Sequence, residues 1–228
     1  MAVAITRSAN PAGASASSNV ATYTSQAIGT AHPNRIVVVV VTSELLAATI
    51  DSCTLGGLTM NTGTEGTQGI MRARAFYLAY PTGTTATVAV TFGANPNNTQ
   101  NHITVYEVHD AAFASAGANN STDMDVTVPL TTGAITIATG GGFIGVAGGA
   151  TASTTSKAWA NATEDQELNA GSHTHTTATR VTALTATAVT VTGSTDTEDG
   201  ALSWLIFTNL TPSSSLSPSL SPSLSPSL

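Results

Sequence analysis

The feature that most constrains this chain is a run of six β-branched residues, Ile36-Val-Val-Val-Val-Val41. Side chains of this kind are stiff at χ1 and fit a pleated surface, so the run predicts a strand. Successive strand side chains point to opposite faces, and this run is apolar on both, as expected of a central strand held between two layers. Further strand signals recur along the chain with turn residues between them. They are Ala21–Thr24, Arg35–Thr42, Ile70–Leu78, Thr84–Phe92 and His102–Val108, then Asp125–Val128, Ala134–Ala138, Gly142–Ala147, His173–Thr182, Thr185–Thr192 and Ala201–Phe207. In Thr87-Val-Ala-Val-Thr-Phe92 the valines and Phe92 share one face, as do Val189 and Val191. No segment carries a helical stripe, and Ser43–Ala48 is expected to make one helical turn at most.

The strand signals also repeat. Ile36–Val41 corresponds to Phe143–Ala147, Ala73–Leu78 to Thr176–Val181, Thr84–Phe92 to Thr185–Val191, and His102–Val108 to Leu202–Phe207. A half-length repeat of this kind predicts an all-β fold: an antiparallel β-sandwich, jelly-roll-like, with two similar halves built from interleaved strands. Two separate Ig-like domains would also fit. The absence of a linker-like stretch between the halves favours one sandwich, placed at residues 19–211. Residues 1–18 lack periodicity and are expected to form a flexible N-terminal arm that anchors the protein to its neighbours. Residues 212–228 end in three copies of Ser-Pro-Ser-Leu, where regularly spaced prolines remove backbone donors and fix φ, so an extended tail is expected.

Composition narrows the function. Only 8% of the 228 residues are charged, against roughly 25% in an ordinary domain, so hydroxyls and backbone must solvate the surface. The net charge of −7 offers no basic stripe for phosphates, which argues against nucleic acid as a partner. The longest apolar run is far too short to span a bilayer, and the first ten residues lack the apolar core of a secretory signal. Cys53 has no partner for a disulfide and is expected to be a buried, inert thiol. A composition suited to the medium, without a signal, fits a virion protein assembled inside a host cell; an excised domain of a secreted protein would look the same.

Ile36–Val41, Thr54-Leu-Gly-Gly-Leu-Thr-Met60 and Phe76-Tyr-Leu-Ala-Tyr-Pro-Thr-Gly-Thr-Thr-Ala-Thr-Val-Ala-Val-Thr-Phe92 together resemble a family of all-β domains. Such domains occur in phage structural proteins and bacterial surface proteins. The family pattern continues into a second half with a tryptophan and a tryptophan-bearing final strand, which Trp159 and Trp204 match. The resemblance covers residues 20–210, and Ser/Pro-rich tails recur among such proteins. It implies fold and virion or surface context, and no catalytic residues, because the matched positions are core and turn.

Candidate chemistry is sparse. In Ser172-His-Thr-His175 the two imidazoles share a strand face, so His173 and His175 can ligate one metal ion together. The tripeptide resembles the His-x-His pairs that phage fibres place on a three-fold axis, which would imply a trimer. The competing reading is two exposed histidines in a Thr-rich strand. Glu164-Asp-Gln-Glu167, Asp123-Met-Asp125 and Asp196-Thr-Glu-Asp199 are carboxylate clusters that suit calcium in type but lack its loop spacings, and solvated turn acids are the competing reading. No Gly-x-Ser-x-Gly is present, and His32, His102 and His109 sit in no nucleophile motif. The glycine-rich run from Gly140 lacks the lysine of a phosphate loop. Trp204 sits inside an apolar strand and is expected in the core. Asn97, Asn119, Asn120, Asn161 and Asn209 each open a glycosylation sequon.

The sequence therefore leads to a non-enzymatic structural component of a bacteriophage virion (capsid decoration, fibre or minor tail protein) without a resident cofactor. Its expected partners are other virion proteins and further copies of itself, with a host-surface glycan as an additional ligand. The alternative is a secreted bacterial adhesion or carbohydrate-binding module. A glycan-cleaving spike domain is a third reading.

Overall fold

The computed structural model describes residues 2–14, 19–44, 48–93, 100–124, 128–150, 156–193 and 198–210. The Ser-Pro-Ser-Leu tail, Asn97, Asp125, Asp196 and residues 45–47 of the expected helical turn lie outside them.

The first half of the chain folds as nested antiparallel pairs. Strand β1 (Ala4–Ala14) pairs with β10 (Asn101–His109), β2 (Val20–Ala27) with β9 (Thr85–Phe92), β3 (Ile36–Glu44) with β8 (Met71–Ala79), and β4 (Ile50–Leu55) with β5 (Leu58–Thr59). Gly56 and Gly57, both at positive φ, make the tight turn between β4 and β5. Rolling up this nested set gives a large sheet, β1-β10-β3-β8-β6, where β6 is Asn61–Thr62. The short β7 (Gly66–Gln68) also pairs with β8. The small sheet is β2-β9-β4-β5.

The second half repeats the scheme. Strand β11 (Ala111–Met124) pairs with β18 (Glu198–Asn209), β12 (Leu130–Ile137) with β17 (Leu184–Thr192), and β13 (Gly142–Ala150) with β16 (His173–Arg180). Its large sheet is β11-β18-β13-β16-β15, where β15 is Thr163–Ala170, and its small sheet is β12-β17-β14, where β14 is Ala158–Ala160. Each half thus has the strand order of a jelly roll.

Among the described residues no strand pairs across the halves, so each half closes its own sandwich. This corrects the expectation of a single sandwich built from interleaved strands. The sequence shows no linker-like stretch between the halves for a simple reason: β10 ends at His109, β11 starts at Ala111, and Asp110 at φ 54° is the whole joint. The expected flexible arm is also corrected. Residues 4–14 form β1, which pairs along β10 through two register shifts and places Val3 in the core. Its small and polar residues hide it from a periodicity reading, because backbone pairing rather than apolar alternation makes it a strand.

Four layers result, with three apolar cores between them. Val37, Val39 and Val41 face the first small sheet, where they pack with Phe76, Val88, Val90 and Ile103. Val38 and Val40 point the other way, into a central core shared with Ile144, Val146, Leu205 and Phe207 of the second half. The third core, with Phe143, Leu202, Trp204 and Val191, fills the second sandwich. The run Ile36–Val41 is thus apolar on both faces because β3 lies between two layers. No helix is long and apolar enough to cross a membrane among the described residues.

The two large sheets meet about a pseudo-two-fold axis. Thr42 pairs with Ala73 and His102 in the first half, and Gly148 pairs with His175 and Ala201 in the second. Gly148 lies against Thr42 across the seam, and with these two taken as equivalent the registers equate Ala73 with His175, His102 with Ala201, Thr104 with Ser203, and Met71 with His173. Packing across the seam obeys the same relation. Thr42 touches His173, and a β-carbon built on Gly148 would overlap Met71 Cε.

Candidate functional site

Among the described residues a group of buried polar side chains gathers on this seam, on the side where β16 faces β10. Strand β16 turns His173, His175 and Thr177 toward the first half, where Thr42 on β3 and His102, Thr104 and Tyr106 on β10 meet them. Thr42 Oγ1 lies 2.8 Å from His173 Nε2 and 2.7 Å from His175 Nδ1. Thr104 Oγ1 lies 2.8 Å from His175 Nε2, and His173 Nδ1 lies 3.1 Å from the Gln100 carbonyl oxygen.

These contacts allow one assignment for neutral rings. A carbonyl oxygen only accepts, so His173 Nδ1 carries a proton and donates to Gln100. His173 Nε2 then accepts from the Thr42 hydroxyl, whose oxygen accepts from His175 Nδ1–H. His175 Nε2 in turn accepts from Thr104. The hydrogen bonds run in one direction, from Thr104 through His175, Thr42 and His173 to the backbone. Hydroxyl hydrogens follow here from the network rather than from observation.

His102 closes the cluster. Its ring meets His173 edge-on at 4.9 Å between centroids and lies 6.1 Å from His175. Its Nδ1 is buried and has no hydrogen-bond partner among the described residues. Burial, and then the neighbouring imidazoles, push His173 down to about 3 and His175 well below its ordinary value; burial lowers His102 as well. All three rings are neutral at pH 7.

Further along the seam the polar contacts continue. Tyr106 OH donates to Asp165 Oδ2 at 3.0 Å and lies 2.7 Å from Thr177 Oγ1. Thr179 Oγ1 donates to Asp165 Oδ1, and Arg7 reaches across from β1 to the Asp165 carbonyl and Gln166 Oε1. Burial raises the Asp165 carboxyl, against the Thr179 and Tyr106 hydrogen bonds and the nearby Arg7 charge.

The shared face expected of His173 and His175 is present, but it points inward. They are not exposed, and every ring nitrogen of the pair already has a threonine or carbonyl partner. A metal bound by either ring would have to displace a hydroxyl. No group of three or more His, Cys, Asp or Glu side chains is arranged to hold a metal ion among the described residues. Of the acidic clusters, Glu167 receives Lys157 N–H and Asn169, and Asp165 belongs to the seam, so these acids are not simply solvated. Cys53 is buried, and burial holds its thiol far above the ordinary range. Trp204 packs in the third core, and Trp159 Nε1 donates to Thr176 at 2.9 Å.

Sequence reasoning missed two gatherings. His102, Thr42 and Thr104 join the His-x-His pair, and strand parity alone puts His102 and Thr104 on one face of β10. His32 and His109 stack at 4.5 Å with planes 12° apart, and His109 Nε2 lies 3.1 Å from Glu107 Oε2. No local signal links His32 to His109, because the loop before β3 brings them together. No protein-family model matches this chain, and a search of curated proteins finds none similar to it.

Proposed function

We propose that the chain is a non-enzymatic structural component of a bacteriophage particle, as a capsid decoration, fibre or minor tail protein. The observation that carries this reading is where its ionisable side chains go. Arg35 ties down the carbonyls of Gly29, Tyr80 and Thr82; Arg72 those of Ala48, Gly69 and Met71; Arg74 those of Ile50 and Gly63. The histidines and Asp165 of the seam join layer to layer in the same way. Groups that an enzyme would expose to substrate are used to hold shape.

The outer faces support the same reading. Thr22, Thr24, Thr85 and Thr87 on one small sheet, and Thr136 and Thr185 on the other, are exposed and neutral. Hydroxyl-covered sheets keep a protein soluble without a strong charge and suit close packing beside many identical neighbours. The resemblance to phage structural domains, carried by the β3–β9 block, points the same way.

Quantitative peptide mass spectrometry of density-purified particles from the producing culture tests the proposal. A fixed ratio to the major shell protein is expected, and its value separates shell decoration from tail part. Recovery only from the soluble secretome or the cell envelope would replace it with the adhesion-module reading.

A further inference from the structure

We propose that the polar end of the seam is a pairing code: the large sheet of a first half accepts the large sheet of a second half and rejects a second copy of its own kind. The two jelly rolls are similar enough to make the wrong pairing a real competitor. Both present a β3-like strand on a pseudo-two-fold axis, with apolar residues (Val38 and Val40, Ile144 and Val146) at equivalent places. A homotypic pair would bury those residues equally well.

The two ends of the seam differ in chemistry, and that difference decides. At one end Thr42 and Thr104 satisfy His173 and His175. Gly148, the equivalent of Thr42, sits against Thr42 itself, and beyond it the equivalent places hold Met71, Ala73 and Ser203, where Ser203 instead donates to the Thr64 carbonyl. Pairing two first halves would set Thr42 against Met71 at both ends. A β-carbon at the Gly148 position would overlap the flexible end of Met71 and lie 3.2 Å from Thr42 Cβ and Cγ2, so a threonine there has to displace Met71 and crowd the facing threonine, and its hydroxyl loses both imidazole partners. Pairing two second halves would set Gly148 against His173 at both ends, leaving a gap where Thr42 stands and His173 Nε2 and His175 Nδ1 without a hydroxyl. A buried polar group left unpaired costs about 1–3 kcal/mol, and each wrong pairing repeats its defect twice by symmetry.

The code operates where copies are crowded, during folding or within an assembly. Chains can then be linked only by exchange of unlike halves.

Full-length variants test it. Thr42→Gly alone makes one side of the polar end resemble the apolar end. His173→Met with His175→Ala does the same to the other side. Each mismatched variant is expected to lose roughly 5–10 °C in melting temperature. Combining them with His102→Ala and Thr104→Ser makes both ends alike, and this matched variant is expected to recover most of the loss. A matched variant as unstable as the two mismatched losses added together, or one that does not fold, would overturn the proposal. So would inter-chain cross-links between two first halves or two second halves when isotopically light and heavy native chains are unfolded and refolded together.

Discussion

Trp204 lies directly over Gly117. A β-carbon on Gly117 would fall inside the indole, so β11 runs past β18 only because residue 117 has no side chain. Trp204 is fixed in turn by the third core, with 7% of its surface exposed. Gly117→Ala is expected to destabilise the fold by about 1–3 kcal/mol, the usual cost of overpacking a filled site. Denaturant unfolding followed by tryptophan fluorescence measures this directly; an unchanged midpoint would mean that β11 can move away from β18.

Acid weakens the seam, and the sign follows from the histidines. His102, His173 and His175 are held below the 6.5 of a free imidazole, so the unfolded chain binds protons that the folded chain refuses. Their stabilisation is complete above that value and is lost as pH falls toward about 3, the folded value of His173. Each ring contributes a slope of up to ~1.4 kcal/mol per pH unit. Asp165 and Glu65, raised by burial, have the opposite sign at lower pH. Urea titrations between about pH 7 and 5.5, repeated in an Asp165→Asn, Glu65→Gln, Glu164→Gln background that removes the carboxyls raised by burial, isolate the histidines. A flat profile there would show that the rings accept protons in place.

Tyr106→Phe removes one hydroxyl from the middle of the seam and leaves Asp165 and Thr177 without it. The expected loss is about 1–3 kcal/mol, because a partly buried carboxylate loses a donor. Asp165→Asn in the same background should cost less than it does in the native chain. Additive losses in the double-mutant cycle would place the two groups in separate networks.

Cys53 should not react with a thiol reagent such as Ellman's while the protein is folded. Its thiol is buried against Tyr23 in the first core, and burial raises it away from the thiolate. Stoichiometric reaction in denaturant with none in buffer is the expected pattern. Fast labelling of native protein would show that β4 opens readily.

Where apolar residues alternate, the sequence was readable. Strands β3, β9, β10, β13, β17 and β18 stand where Ile36–Val41, the Thr-Val alternation before Phe92 and the run ending at Phe207 placed them. Strands β11 and β15 left no such trace. Ala111–Met124 is mostly small and polar, with Gly117 under Trp204, and Thr163–Ala170 is an edge strand defined by its pairing with β16. The halves were visible as a repeat, but a one-residue joint at Asp110 left no composition change to mark their boundary. The His-x-His spacing correctly put two imidazoles on one face. Which face it was depended on the stacking of four layers, and no local pattern encodes that.

The first strand begins at Ala4 opposite His109, the joint Asp110 follows, and Leu210 donates its N–H back to the Asp110 carbonyl. The start of β1, the crossing between halves and the exit of β18 therefore gather at one pole. A pull applied through residues 4 and 210 would load the outermost bonds of the β1–β10 and β11–β18 ladders first and break them singly, like a zipper, rather than shearing whole strands at once. Mechanically the described fold is weak when drawn apart through these two residues.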